Sequence, residues 1–184
     1  MVDRSISQFR QKQTQGTCIL FSYCLIMSHF LNKPAHELIT EFVHEYSSSN
    51  YIPNNLKCAE IFFVQECYCI LGMQNQINNL FIESYHNRKY SSSRIIIELK
   101  SLNKSNDILY LKQILTSKEA LISASYQFMN QNNWHCTPIG YDSEGFYLIQ
   151  TNQGYNNIEI IQDLNNLRSI SYVVEPGDCL LIYK

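Results

Sequence analysis

One stretch leaves this chain little freedom. Residues 18–31 are apolar on nearly every side when wound into a helix, interrupted only by Ser22, Ser28 and His29. A helix with one apolar stripe can lie on a surface, but one that is apolar all round has to be enclosed. The stretch therefore predicts a central helix around which the remaining elements pack. It is too short to span a bilayer, which takes roughly 20 apolar residues. Arg4, Arg10 and Lys12 ahead of it imitate a signal peptide, yet the run is broken by polar residues and no small-residue cleavage site follows at 31–34.

The start of that helix is as informative as its length. Residues 1–17 read as irregular, or as a short helix ending before Gly16, and the polar run Gln13-Thr14-Gln15-Gly16-Thr17 leads straight into Cys18. A cysteine there sits at a helix N-terminus, where unpaired backbone N–H groups and the helix dipole favour negative charge. A thiolate is such a charge, and helix N-termini are among the places that lower a cysteine pKa. A glutamine just upstream could add a side-chain N–H donor beside the sulfur. A nucleophilic thiol then needs a base, and a group to orient that base.

Composition narrows the field of functions. The 184 residues suit a single domain with a substantial core, and a net charge of −2 with few charged residues suggests neither a nucleic-acid footprint nor a basic membrane patch. Seven cysteines at irregular spacing, with no C-x-x-C, indicate neither a disulfide framework nor a zinc site. Reduced thiols in a cytosol-like compartment are the expectation. The absence of a signal peptide points to the cytoplasm, or to export by a route that uses no cleavable signal.

Along the chain, a second helix is expected from Pro34 to about Tyr46, with Ala35, Leu38, Ile39, Phe42 and Val43 at helical spacing and a serine run from Ser47 to break it. Further helices are expected over residues 55–71 and near 74–84, with 86–93 a polar loop. The character then turns strand-like at 94–99. Asp107 caps a helix over 108–115, and strands follow at 120–128, 134–141 and 146–151, the last two joined by a turn over 142–145. Residues 155–169 read as a connection with a short helix near 162–167, before a final strand over 179–183. Helices first and an antiparallel sheet second make an α+β chain: one domain over 1–184, with a helical half over about 1–92 and a sheet half over about 93–184.

Five histidines could serve as the base. His29 lies inside the apolar helix, His36 and His44 on the second helix, and His86 in the polar loop. His135 opens the first strand of the expected hairpin, whose return strand leads into Thr151-Asn152-Gln153-Gly154. The start of one antiparallel strand and the end of its partner are neighbours, so His135 and Asn152 are expected to approach each other. An asparagine oxygen accepting from one ring N–H leaves the other ring nitrogen for a thiol. Asp142 and Glu144, at the hairpin tip, read as solvated turn residues. The chance occurrence of His and Asn on a surface hairpin is the plainer alternative.

Taken together, the order Gln, Cys, His, Asn resembles the papain-like cysteine peptidases. Cys18-Ile19-Leu20-Phe21-Ser22 is similar to the family's Cys-Trp-Ala-Phe-Ser stretch. Residues 134–141, then 145–149 and Asn152-Gln153-Gly154, resemble its His strand, return strand and Asn turn. The second half is closest in pattern to the bacteriocin-processing (double-glycine) peptidases, where a strand like 119–124 precedes the His hairpin and a short helix and last strand close the sheet. The resemblance covers the first ~20 residues of the helical half and most of 119–184, and leaves 45–105 without a counterpart. Thr17-Cys18-Ile19 stands where that branch has Asp-Cys-Gly, and Asn152-Gln153 where it has Asp-Pro.

The resemblance implies a papain-like fold with the nucleophile at the start of a central helix and an antiparallel sheet carrying the His and Asn. It implies Cys18 as nucleophile, His135 as base and acid, and Asn152 as the orienting residue. Gln13 would be the oxyanion donor together with the Cys18 backbone N–H, with Gln15 its competitor. The implied reaction is acyl transfer from an amide, most simply hydrolysis of a protein or peptide substrate, and it requires neither metal nor organic cofactor. Glutamine deamidation or acyl transfer to an amine could use the same residues. A catalytically silent papain-like binding module is the alternative from another class, and a buried structural Cys18 is a third. Nucleic-acid binding and membrane insertion are not expected, and oligomeric state is left open.

Overall fold

The structure is a computed structural model that describes residues 18–48, 79–100, 105–127, 134–149, 158–161 and 179–184. The described elements are α1 (Cys18–Leu31), α2 (Ala35–Ser48), α3 (Asn79–Lys89), β1 (Ile96–Lys100), α4 (Ser105–Ser117), β2 (Ala120–Gln127), β3 (Trp134–Asp142), β4 (Gly145–Ile149), β5 (Ile158–Ile161) and β6 (Cys179–Tyr183). This is an α+β arrangement around a six-stranded sheet of order β1-β6-β2-β3-β4-β5, in which every neighbouring pair is antiparallel.

Helix α1 begins and ends where its apolar pattern does, and Leu20 to Ser28 are all buried. Its C-terminus stops sharply because Asn32 takes up a left-handed conformation with φ of 50°, which Asn tolerates better than most residues. The Lys33 N–H then reaches back to the Ser28 carbonyl at 3.1 Å, closing the wide loop of a Schellman-type end. The Phe30 carbonyl is not left bare: the Lys184 ammonium donates to it at 2.9 Å, a cation where the helix dipole favours one. His29, in the last turn, pairs with Glu119 at 3.0 Å.

Pro34 lies one position before α2, not inside it. Its carbonyl accepts from the Glu37 and Leu38 N–H groups, so it acts as the capping residue. Ala35, Leu38, Ile39 and Phe42 are buried, as their spacing implies. The serines expected to break this helix instead form its last turn, through Ser48. The expected helix over 55–71 lies outside the described residues, as does the short helix expected near 162–167.

Three expectations need larger corrections. The loop expected over 86–93 begins only at Tyr90: α3 runs to Lys89, and His86 is 1 % exposed. Ile82, Tyr85 and His86 lie on one helical face, and a histidine whose two nitrogens both find partners can be buried with the apolar residues. Asp107 is likewise not a cap, because α4 starts two residues earlier, at Ser105. Ile158–Ile161 forms β5, a strand where a connecting segment was expected; at four residues it is too short for its pattern to stand out.

The sheet is covered on both faces. On one side Leu121, Tyr147, Ile149, Leu180 and Ile182 pack with α1, α2 and α3. On the other, Ala120, Ile122, Ala124, Ile139, Phe146, Leu148 and Leu181 pack with Leu111, Ile114 and Leu115 of α4. Residues of alternate parity thus serve two cores, which is why β4 and β6 read as unbroken apolar runs. The β3–β4 turn closes at Gly145 with φ of 122°, a conformation that suits glycine. Asp142 Oδ1 accepts from the Glu144 N–H at 2.9 Å within that turn. In the neighbouring strand Gly140 lies opposite Tyr147, whose ring occupies the space a β-carbon would need.

Candidate active site

Cys18 is the first residue of α1 and, like Ile19, is only partly buried, whereas Leu20 to Ser28 are buried. Helix α1 lies along β2 and β3, which brings its first turn against the start of β3. The backbone N–H of Cys136 lies within hydrogen-bonding reach of the Cys18 sulfur, as do those of Ile19 and Cys18 itself. Cys136 follows His135 directly in the chain. The first turn of α1, which carries Cys18, and the start of β3, which carries His135, are therefore adjacent.

The electrostatics around the sulfur run in two directions. Burial pushes the Cys18 thiol up, because a thiolate loses hydration there; the backbone N–H groups of Cys136, Ile19 and Cys18 act to lower it, and burial outweighs them. The lowering expected from the helix N-terminus is present but is not the larger effect. A thiolate at this position needs a further positive partner, which an imidazolium would supply.

The strand register bears on where that partner could come from. Tyr126 lies opposite His135, Ser125 opposite Cys136, and Ala124 opposite Thr137. Position 136 has the parity of Ser123 and belongs to the sheet face that meets α1. Position 135 has the parity of Ala124 and Ile139, which belong to the α4 face.

The β3–β4 ladder runs, among the described residues, from Asp142 opposite Gly145 to Ile139 opposite Leu148. Asn152, Gln13 and Gln15 lie outside the described residues. Asp142 and Glu144 sit at the hairpin tip, Glu144 exposed, as turn residues do. Of the other histidines, His36 is exposed, His29 is engaged by Glu119, and His86 is enclosed between Tyr23 and the Ile95 carbonyl.

A group of polar side chains that sequence reasoning did not single out lies just behind the Cys18 turn. Ser123 Oγ of β2 donates to Ser22 Oγ of α1 at 2.7 Å and meets the Cys136 thiol of β3 at 3.2 Å. All three residues are 0 % exposed. The only signal in the sequence is a serine standing inside an apolar helix and another inside an apolar strand. Among the described residues no three His, Cys, Asp or Glu side chains gather as a metal would need, and no helix is long and apolar enough to cross a membrane. In comparisons with known proteins, no family model, no curated protein and no solved structure matches the chain.

Proposed function

We propose that the chain is a papain-like thiol hydrolase acting on an amide or peptide bond. In this reading the Cys18 sulfur attacks the carbonyl carbon while the imidazole of His135 holds the thiol proton. Collapse of the tetrahedral adduct passes that proton to the departing amine and leaves a thioester on Cys18. Water, deprotonated by the same imidazole, then releases the acid. Asn152 keeps the ring in one tautomer, and Gln13, or Gln15 in its stead, joins the Cys18 N–H in binding the oxyanion. The same residues serve glutamine deamidation or acyl transfer to an amine, which differ in the groups that leave and enter.

One observation carries the reading: the Cys18 sulfur, at the head of an enclosed helix, lies against the backbone of the residue next to His135. A second reading, a catalytically silent binding module with the same fold, draws on the upward push that burial gives the Cys18 thiol. The two part company at the sulfur. Alkylation by iodoacetamide followed by mass spectrometry, across a pH series in wild type and His135→Ala, separates them. The hydrolase reading expects Cys18 to react ahead of the six other thiols about two pH units below the free-thiol pKa of ~8.5, and to lose that lead without His135. Equal reactivity of Cys18 and its neighbours, or indifference to His135→Ala, leaves the binding module as the reading.

A further inference from the structure

The three buried side chains behind the Cys18 turn belong to three different elements. Ser22 is on α1, four residues and therefore one turn beyond Cys18 on the same side of the helix. Ser123 is on β2, and Cys136 is at the third position of β3. Ser123 stands between the other two, donating to Ser22 at 2.7 Å and bonded to the Cys136 sulfur at 3.2 Å. With the Ser123 hydroxyl hydrogen committed to Ser22, the Cys136 thiol supplies the hydrogen of the second bond.

Apolar residues at these positions would fill the space without fixing a direction. Hydroxyls buried at 0 % exposure are different, because an unmet bond there is penalised and the three side chains have to stay within bonding distance of one another. That arrangement ties the first residues of β3 to α1. Cys136 has two connections: its side chain enters this set, and its backbone N–H lies at the Cys18 sulfur. A hydrogen bond weakens steeply with angle and distance, so a small slide of β3 along α1 would lose the second connection.

We propose that Ser123 is a positioning residue for Cys18: through Ser22 and Cys136 it locks the start of β3 onto α1 and so holds the Cys136 N–H against the Cys18 sulfur. The inference rests on reading Cys18 as the reactive thiol of the site. Ser123 acts on the thiolate through the backbone of Cys136, without touching substrate.

Stability and thiol chemistry can be read separately. Ser123→Ala and Ser22→Ala each leave a buried hydroxyl short of a partner and are expected to unfold at lower temperature than wild type. The double variant Ser22→Ala/Ser123→Ala removes both hydroxyls together and is expected to recover much of that loss. The decisive readout is the pH profile of iodoacetamide alkylation at Cys18 in the same proteins, with His135→Ala alongside. Losing a hydrogen bond to the thiolate is expected to move the Cys18 profile up by about one pH unit, roughly tenfold slower reaction below the midpoint, in Ser123→Ala and in the double variant alike. A profile that returns to wild type in the double variant as its stability returns would show a purely structural set and overturn the proposal. So would a wild-type profile in Ser123→Ala or, should that variant not fold, in Ser22→Ala. Serine variants that move the profile while His135→Ala does not would sink the hydrolase reading and keep the positioning role. The converse pattern would keep the hydrolase and discard the role of Ser123.

Discussion

His86 shows how a polar residue can be required by a core. Its Nε2 lies 3.1 Å from the Ile95 carbonyl, which can only accept, so Nε2 carries the proton. The neutral ring's Nδ1 then accepts from the Tyr23 hydroxyl at 3.0 Å. One imidazole thus joins α3 to α1 and to the segment entering β1. Burial holds the His86 pKa below its usual value, and only partly does the Ile95 carbonyl oppose this. A histidine with a folded-state pKa below its unfolded one leaves stability intact above the unfolded value of ~6.5 and withdraws it as the pH falls toward the folded value. Melting temperature followed from neutral to mildly acidic pH should therefore drop more steeply in wild type than in His86→Leu, whose intrinsic stability is lower throughout. Parallel slopes would mean that His86 does not carry the acid sensitivity.

At the scale of elements, α1 owes its sharp limits to its ends as much as to its apolar residues. The left-handed Asn32, the Lys33-to-Ser28 hydrogen bond and the Lys184 contact with the Phe30 carbonyl together settle where the helix stops. A β-branched residue resists the left-handed region, so Asn32→Val is expected to cost about 1–2 kcal/mol, whereas Asn32→Gly should be close to neutral. Urea unfolding of the two variants checks this, and equal stability would show that the turn relaxes without loss. These limits were legible beforehand because the flanking residues punctuate so strongly: Gly16 and Thr17 before, Asn32 to Pro34 after. The same was true of β6, bounded by Pro176-Gly177. Elements without such marks are harder to read from the sequence. Polarity hides the last turn of α3, because His86 is polar in sequence yet buried in the fold, and the four residues of β5 carry too little period to stand out.

Over the whole molecule, the order of elements was more legible than the way their side chains interlock. A helical half followed by strands can be read from patterning, and Cys18 at the head of α1 follows from where one pattern stops and the next starts. The Ser22–Ser123–Cys136 set could not be, because it depends on the registers of three elements separated by up to 114 positions, the span from Ser22 to Cys136. The face occupied by position 135 is likewise a property of register, which no local pattern states. The two cores share one sheet, so loss of either exposes the other. Unfolding in urea should accordingly superimpose when followed by far-ultraviolet circular dichroism and by fluorescence of Trp134, the single tryptophan. Separated curves would mean that the α4 side melts by itself.

The position of β6 has a bearing on how such a chain is made. Strand β6 comes last of the described strands in sequence yet lies between β1 and β2, pairing Leu99 with Leu180 and Ile122 with Leu181. While the ribosome is still adding the residues before Cys179, the gap between those two strands has no occupant. Until then β1 and β2 are each short of the partner that β6 supplies, open to pairing with any other extended segment. Chains cut short before Cys179 should therefore be far more dependent on chaperones than chains that carry β6.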